Sequence, residues 1–185
     1  MCSRPGPIRG FTIIELMVVM ALVAVLATLA VPSYRAFAIN QQLSSAASNF
    51  LMSLLQARSE AIRLGKYVAV LPVDGSNWTS GWQLSVVTNT CAPTGAAFSK
   101  ADALPPAVSV KTAGTTKSFA HSAPSFTYTP AGFPYTACSS PYYSGTMNGM
   151  LRFEAIETSR ERAIIVGNAG RARLCDPRGE TCAAD

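Results

Sequence analysis

The stretch "RGFTIIELMVVMALVAVLATLAVPSYRAF", Arg9 to Phe37, decides how the chain is built. From Ile13 to Val31 every residue except Glu15 and Thr28 is apolar or small, and about 20 such residues in a helix cross the roughly 30 Å hydrocarbon core of a bilayer. A secretory signal peptide is the rival reading, because Arg4 and Arg9 precede the run and small residues surround Ala30. The run is too long for that, and an acid within it costs of order 2.5–3.5 kcal/mol of insertion energy at mid-span. Glu15 therefore needs a use or a partner. Cleavage after Gly10 would leave a cationic amine on Phe11, at a helix end whose dipole already favours an anion, and Glu15 would neutralise it. Snorkelling of Glu15 to the interface is the other physical solution, and the residues alone do not choose between them.

Past the span, helical spacing resumes directly after Pro32, so the proline is expected to kink the helix and not to end it. Leu43, Ala47, Phe50, Leu54, Ala61 and Leu64 recur at three- and four-residue steps, and Gly65 offers a C-cap. The spacing predicts one helix from residue 12 to 64, roughly 75–80 Å long at 1.5 Å per residue. Arg58, Glu60 and Arg63 flank the apolar stripe and read as a solvated face with local ion pairs. On that reading Arg58 is a neutral control for tests of charge elsewhere.

Beyond Gly65 the pattern turns to β. "KYVAVLPV" (Lys66–Val73) and "GWQLSVVTN" (Gly81–Asn89) read as strands joined by the turn-rich "DGSNWTSG". Trp78 and Trp82 are expected to pack over the helix. From Thr88 to Gly149 the chain is rich in Thr, Ser, Ala, Gly and Pro, and reads as loops with short edge strands such as "SVKT" and "SFTYT". Phe119, Phe126, Tyr128, Phe133, Tyr135, Tyr142 and Tyr143 punctuate this region, which makes it a packed part of the head and not a linker. "GMLRFEAIE", "RAIIVGN" and "GRARLCD" form three further strands, the last two joined by the tight "GNAG". The expected class is α+β: a long N-terminal helix, transmembrane in its first half, against a mainly antiparallel sheet.

The 185-residue chain holds five cysteines and a net charge of +5. Losing residues 1–10 removes Arg4 and Arg9 and leaves 5 − 2 = +3, which tolerates anionic partners without demanding them. Cys2 lies in the leader, and Cys91, Cys138, Cys175 and Cys182 remain. An even number reads as two disulfides with three possible pairings if the chain is exported. Local spacing favours Cys175–Cys182, closing "CDPRGETC", and Cys91–Cys138. Without a CxxC knuckle and with one histidine, His121, the pattern does not suit zinc. His121 sits in a polar Ser/Ala stretch and reads as a loop residue, so neither a Ser–His–acid nor a Cys–His site assembles. No Gly-rich phosphate loop follows a strand. The chain is not expected to be an enzyme.

Gly10, Phe11 and Glu15 match in order the class III signal of type IV pilins and type II secretion pseudopilins, which this N-terminus resembles. The resemblance implies that prepilin peptidase removes residues 1–10 on the cytoplasmic side and that the Phe11 amine is methylated. It also implies that Glu15 pairs with the amine of a neighbouring subunit during assembly. "LLQARSEAIRLGKYV" (Leu54–Val68), "FTYTPAGFP" (Phe126–Pro134) and "GRARLC" (Gly170–Cys175) resemble the GspH/FimT branch of minor pilins and pseudopilins. The implied organisation is a leader at 1–10, a transmembrane segment at 11–31, an amphipathic segment at 32–65 and a periplasmic head at 66–185. Its implied location is the bacterial inner membrane, crossed once with the N-terminus cytoplasmic, and then a pilus or pseudopilus. The implied partners are other pilin subunits, with no cofactor and no small-molecule substrate.

Arg171 and Arg173 are two apart on an expected strand and so project to one side, and Arg178 sits just past them in the Cys-bounded loop. Every basic residue after Lys117 is arginine, whose planar fork suits phosphate. Asp176 and Glu180 lie nearby, and paired surface arginines also serve solubility. In FimT-like proteins a C-terminal GRxR resembles the motif that grips DNA in natural transformation, and Gly170, Arg171 and Arg173 match it. Two functions stay open: a DNA-binding minor pilin, or a GspH-like pseudopilin or priming minor pilin with a purely structural role.

Overall fold

The computed structural model describes residues 10–75, 77–111, 125–135, 149–179 and 182. Two compact units divide the chain after Ala38, and the helix α1 (Ile13–Leu64) contributes to both. In the first unit, α1 opens with a capping box. The Glu15 carboxylate accepts from the N–H and the hydroxyl of Thr12, each at 3.1 Å, and the Glu15 N–H donates to Thr12 Oγ1 at 3.3 Å. Thr-x-x-Glu before an apolar run is the sequence form of this motif, so Glu15 has a use within its own chain besides amine pairing and snorkelling. The N-terminal part of α1 is strongly apolar, and none of its apolar stretch is buried. By length and composition α1 can cross a membrane, and Pro32 lies inside it without ending it.

In the second unit the helix buries Ile39, Leu43, Ala46, Ala47, Phe50, Leu54, Ala57 and Ala61, the i, i+3, i+4 spacing that keeps one face inward. Leu64, expected on that stripe, lies at its exposed rim. Gly65 ends the helix with φ +63°, and the Lys66 N–H reaches back to the Ala61 carbonyl at 3.3 Å, the Schellman closure that favours glycine.

The strands are β1 (Tyr67–Pro72), β2 (Trp82–Val87), β3 (Ser99–Lys100), β4 (Val108–Lys111), β5 (Phe126–Tyr128), β6 (Gly149–Ala155), β7 (Glu161–Val166) and β8 (Ala172–Cys175). They form two four-stranded antiparallel sheets and not the single sheet expected from sequence, in the orders β3-β2-β1-β5 and β4-β6-β7-β8. The β1–β2 hairpin recruits β5 through the Val68–Tyr128 register, and the β6–β7–β8 meander recruits β4 through Val110–Phe153.

Phe50 joins the layers. Its ring meets Trp78 at 5.4 Å, Trp82 at 5.1 Å, Phe126 at 5.4 Å and Phe153 at 5.7 Å, so one helical side chain touches both sheets and the 3-10 turn Trp78–Ser80. Both tryptophans pack over the helix as expected, and the Trp82 indole N–H donates to Ser53 Oγ at 2.8 Å, giving its polar tip a partner. Phe126 and Tyr128 are buried, Tyr135 packs on Tyr67 at 4.7 Å, and Phe133 stays exposed. Phe119, His121, Tyr142 and Tyr143 lie outside the described residues.

Candidate functional site

Strand β8 lies at the end of its sheet, and its side chains alternate. Ala172 and Leu174 pack against the main core, while Arg171 and Arg173 are exposed. The Arg171 carbonyl accepts from the Gly167 N–H at 2.9 Å, and the Gly170 N–H donates to the Gly167 carbonyl at 2.9 Å. The "GNAG" connection is therefore a hydrogen-bonded turn that delivers Arg171 directly into the strand. Further along the outward face, Cys175 closes on Cys182 with Cα atoms 6.0 Å apart, and the two lie against Ala163 and Ile165 of β7. Cys175 and Cys182 thus pack over the apolar part of that face. Cys91 is also disulfide-bonded, and Cys138, its expected partner, lies outside the described residues.

Arg178 does not join the other two arginines. Its guanidinium donates to the Ser159 carbonyl in the β6–β7 turn, at the end of β7 away from the Gly167–Gly170 turn. Asp176 organises this loop by accepting from the Arg178 backbone N–H at 3.1 Å and from the Arg162 guanidinium. The backbone donor first, and then Arg162, hold its carboxyl below the usual carboxylate range. The grouping of Arg178 with Arg171 and Arg173, expected from its place just past them in the Cys-bounded loop, is corrected accordingly: the loop carries its arginine to the other end of the strand pair.

A second correction concerns Arg58. The solvated ion-pair face is present at Glu60 and Arg63, whose side chains meet at 2.6 Å. Arg58 instead turns toward the sheets and donates from Nη2 to the Ala169 carbonyl at 2.9 Å. A Cβ placed on Gly170 would lie 3.4 Å from Arg58 Cζ and Nε and only 2.4 Å from the Gly132 carbonyl oxygen. A Cβ on Gly132 would lie 3.4 Å from Arg58 Nε and 2.7 Å from Ile62 Cδ1. Gly132 and Gly170 have φ of +78° and +76°, conformations that glycine adopts at little cost. Helix, β5 turn and β7–β8 turn therefore close on one guanidinium. Tyr128 of β5 has its hydroxyl buried without a hydrogen-bond partner among the described residues. Burial pushes its pKa up to about 12, against the opposing influence of the Arg58 charge. The signal for this junction is present in the sequence, because the three segments that carry the family resemblance each supply one of its parts.

Among the described residues no group of His, Cys, Asp and Glu stands as a metal site would. Arg171, set by the turn before β8, and Arg173 within β8 are both exposed, and guanidinium groups suit anionic partners.

The family model described as type II transport protein GspH matches residues 46–170, and the prokaryotic N-terminal methylation motif matches residues 7–31. The first match ends at Gly170, so Arg171 and Arg173 lie just beyond it. No curated protein sequence gives a significant match. Among solved structures the fold is similar to the type IV minor pilin FimU of Pseudomonas aeruginosa, at 19% identity and a TM-score of 0.56, covering 80% of this chain and 99% of that one. It is also similar to the minor pseudopilin EpsH from the type 2 secretion system of Vibrio cholerae, at 18% identity and a TM-score of 0.50, covering 75% and 99%.

Proposed function

Because the chain belongs to the GspH family, whose fold is that of minor pilins and pseudopilins, we propose that it is a minor type IV pilin that binds DNA without sequence preference during DNA uptake. The family and the methylation motif make it a pilin-like subunit that associates with others of its kind. The observation that carries the DNA reading is the exposed pair of Arg171, directly before edge strand β8, and Arg173 within it, whose neighbours Ala172 and Leu174 pack against the core. Two planar cations on one face suit successive phosphates, and such contacts carry no sequence information.

The test is duplex binding by the full-length protein in neutral detergent, read against salt. Each phosphate contact contributes about −0.9 to the slope of log K against log salt. Arg171→Ala with Arg173→Ala should therefore lower affinity equally for unrelated sequences and make the slope shallower by about two units. Wild-type binding no tighter than the double variant at low salt would leave the second reading, a structural pseudopilin or priming subunit. The match to a type II transport family, ending before the arginines, is what favours that alternative.

Processing is read from Gly10 and Phe11. Arg4 and Arg9 hold the leader on the cytoplasmic side by the positive-inside bias, so the head is delivered to the periplasm and the inner membrane holds the first part of α1, up to Val31. Mass spectrometry of protein extracted from membranes should find the mature N-terminus at Phe11, carrying the mass of an added methyl group. A start near Val31 would mark an ordinary signal peptide. Glu15 then serves twice in this reading, first in the capping box with Thr12 and later toward the Phe11 amine of an adjoining subunit.

A further inference from the structure

We propose that Arg58 is a positioning residue: from the helix it fixes the Gly167–Gly170 turn and thereby sets where Arg171 is presented. The inference deepens the phosphate-binding reading and rests on it for its link to DNA. Arg58 leaves the ion-paired face of α1 and directs its hydrogen bond to the Ala169 carbonyl, inside that turn. Its guanidinium lies against the α-carbon sides of Gly132 and Gly170, within van der Waals reach of any Cβ placed there. Gly170 in turn abuts the Gly132 carbonyl with no room for a methyl group. The turn is thus seated between the Arg58 guanidinium and the Gly132 carbonyl, and the next residue is the first arginine of the pair.

A lysine carries the same charge, but it lacks the flat face that fills the space between two glycines while still donating to a carbonyl. This difference separates positioning from direct contact with a phosphate. Without the guanidinium the turn keeps its own hydrogen bonds, Gly167 to Arg171 and Gly170 to Gly167, and loses the contact that orients it on the helix.

The experiment compares full-length wild type, Arg58→Ala, Arg58→Lys and the Arg171→Ala/Arg173→Ala pair in detergent, at a temperature where circular dichroism finds each fully folded. The first readout is duplex affinity against salt. Arg58→Ala should weaken binding by about eightfold near 0.1 M salt and flatten the slope by about one unit, the contribution of one phosphate contact. Arg58→Lys should remain impaired. The second readout is amide hydrogen exchange without DNA, where Arg58→Ala should speed exchange at Gly167 and Gly170 while leaving the β1–β2 hairpin unchanged. Full recovery of binding by lysine would make Arg58 a simple phosphate contact and overturn the proposal. So would exchange that is unchanged at the two glycines, or that rises uniformly across the head. If wild type fails to bind DNA but the two glycines alone exchange faster in Arg58→Ala, the DNA reading falls and the positioning of the turn by Arg58 stands.

Discussion

Phe50→Ala should destabilise the head by about 3–5 kcal/mol, the usual range for emptying a fully buried phenylalanine site. The ring is completely buried and meets four other aromatic rings edge-on or tilted, from β2, β5, β6 and the 3-10 turn. Its loss therefore removes apolar burial and also the favourable ring–ring geometry, worth about 0.5–1.5 kcal/mol per pair and not additive. A void at this point is slow to collapse, because its walls belong to a helix and two separate sheets whose backbones are already committed. Domains of this size hold only about 5–15 kcal/mol in total, and at about 2–4 °C per kcal/mol the unfolding midpoint should fall by roughly 6–20 °C. Thermal unfolding in detergent, followed by near-ultraviolet circular dichroism of the tryptophans, checks this. A midpoint within about 2 °C of wild type would mean that the helix is not the element joining the sheets. Phe50→Leu, which keeps most of the apolar volume, should lose much less.

How much of this fold is legible in the sequence depends on the range of the interactions. The apolar run, the Gly10–Phe11 junction and the stripe from Leu43 to Ala61 are local patterns, and a helix expresses them within a few residues. Most strands are legible for the same reason, although β3 consists of Ser99 and Lys100 alone and carries no pattern of its own. The division into two sheets is not legible, since it depends on β5 and β4 choosing partners far along the chain. Arg58 misleads for a related reason. Beside an apolar stripe an arginine has solvent on one side by default, and only Gly132 and Gly170, brought in by both sheets, give it another place to go. Arg178 misleads because a disulfide closes a loop without saying which way that loop lies. Thr12-x-x-Glu15 is the opposite case, a local and readable signal overshadowed by the larger question of an acid in a membrane span.

Gly170→Ala should unfold the head more readily than an alanine at Gly10, Gly65, Gly75, Gly95 or Gly179, where an added Cβ meets nothing within 4 Å. Two costs combine. At φ +76° an L-residue loses about 1–2 kcal/mol in the left-handed conformation, and the new Cβ would lie 2.4 Å from the Gly132 carbonyl oxygen, where overpacking typically costs about 1–3 kcal/mol more. That oxygen cannot retreat as a flexible side chain would. Its turn is fixed by the Gly132 N–H to Thr129 carbonyl and Thr129 N–H to Phe133 carbonyl bonds, both 2.8 Å, and by the Phe133 N–H to Thr129 Oγ1 bond at 3.1 Å. Gly75 separates the two costs, because it has φ +84° with nothing within 4 Å of an added Cβ; Gly75→Ala should show only the backbone share. Gly179→Ala, with open space and no positive φ, should be close to neutral. Thermal midpoints should therefore fall in the order Gly179→Ala, Gly75→Ala, Gly170→Ala, with the last lowest by roughly 5–15 °C against wild type. A Gly170→Ala protein as stable as wild type but unable to bind DNA would reverse the assignment. The glycine would then admit a phosphate to the backbone, and the crowding against Gly132 would not be the reason for its place before Arg171.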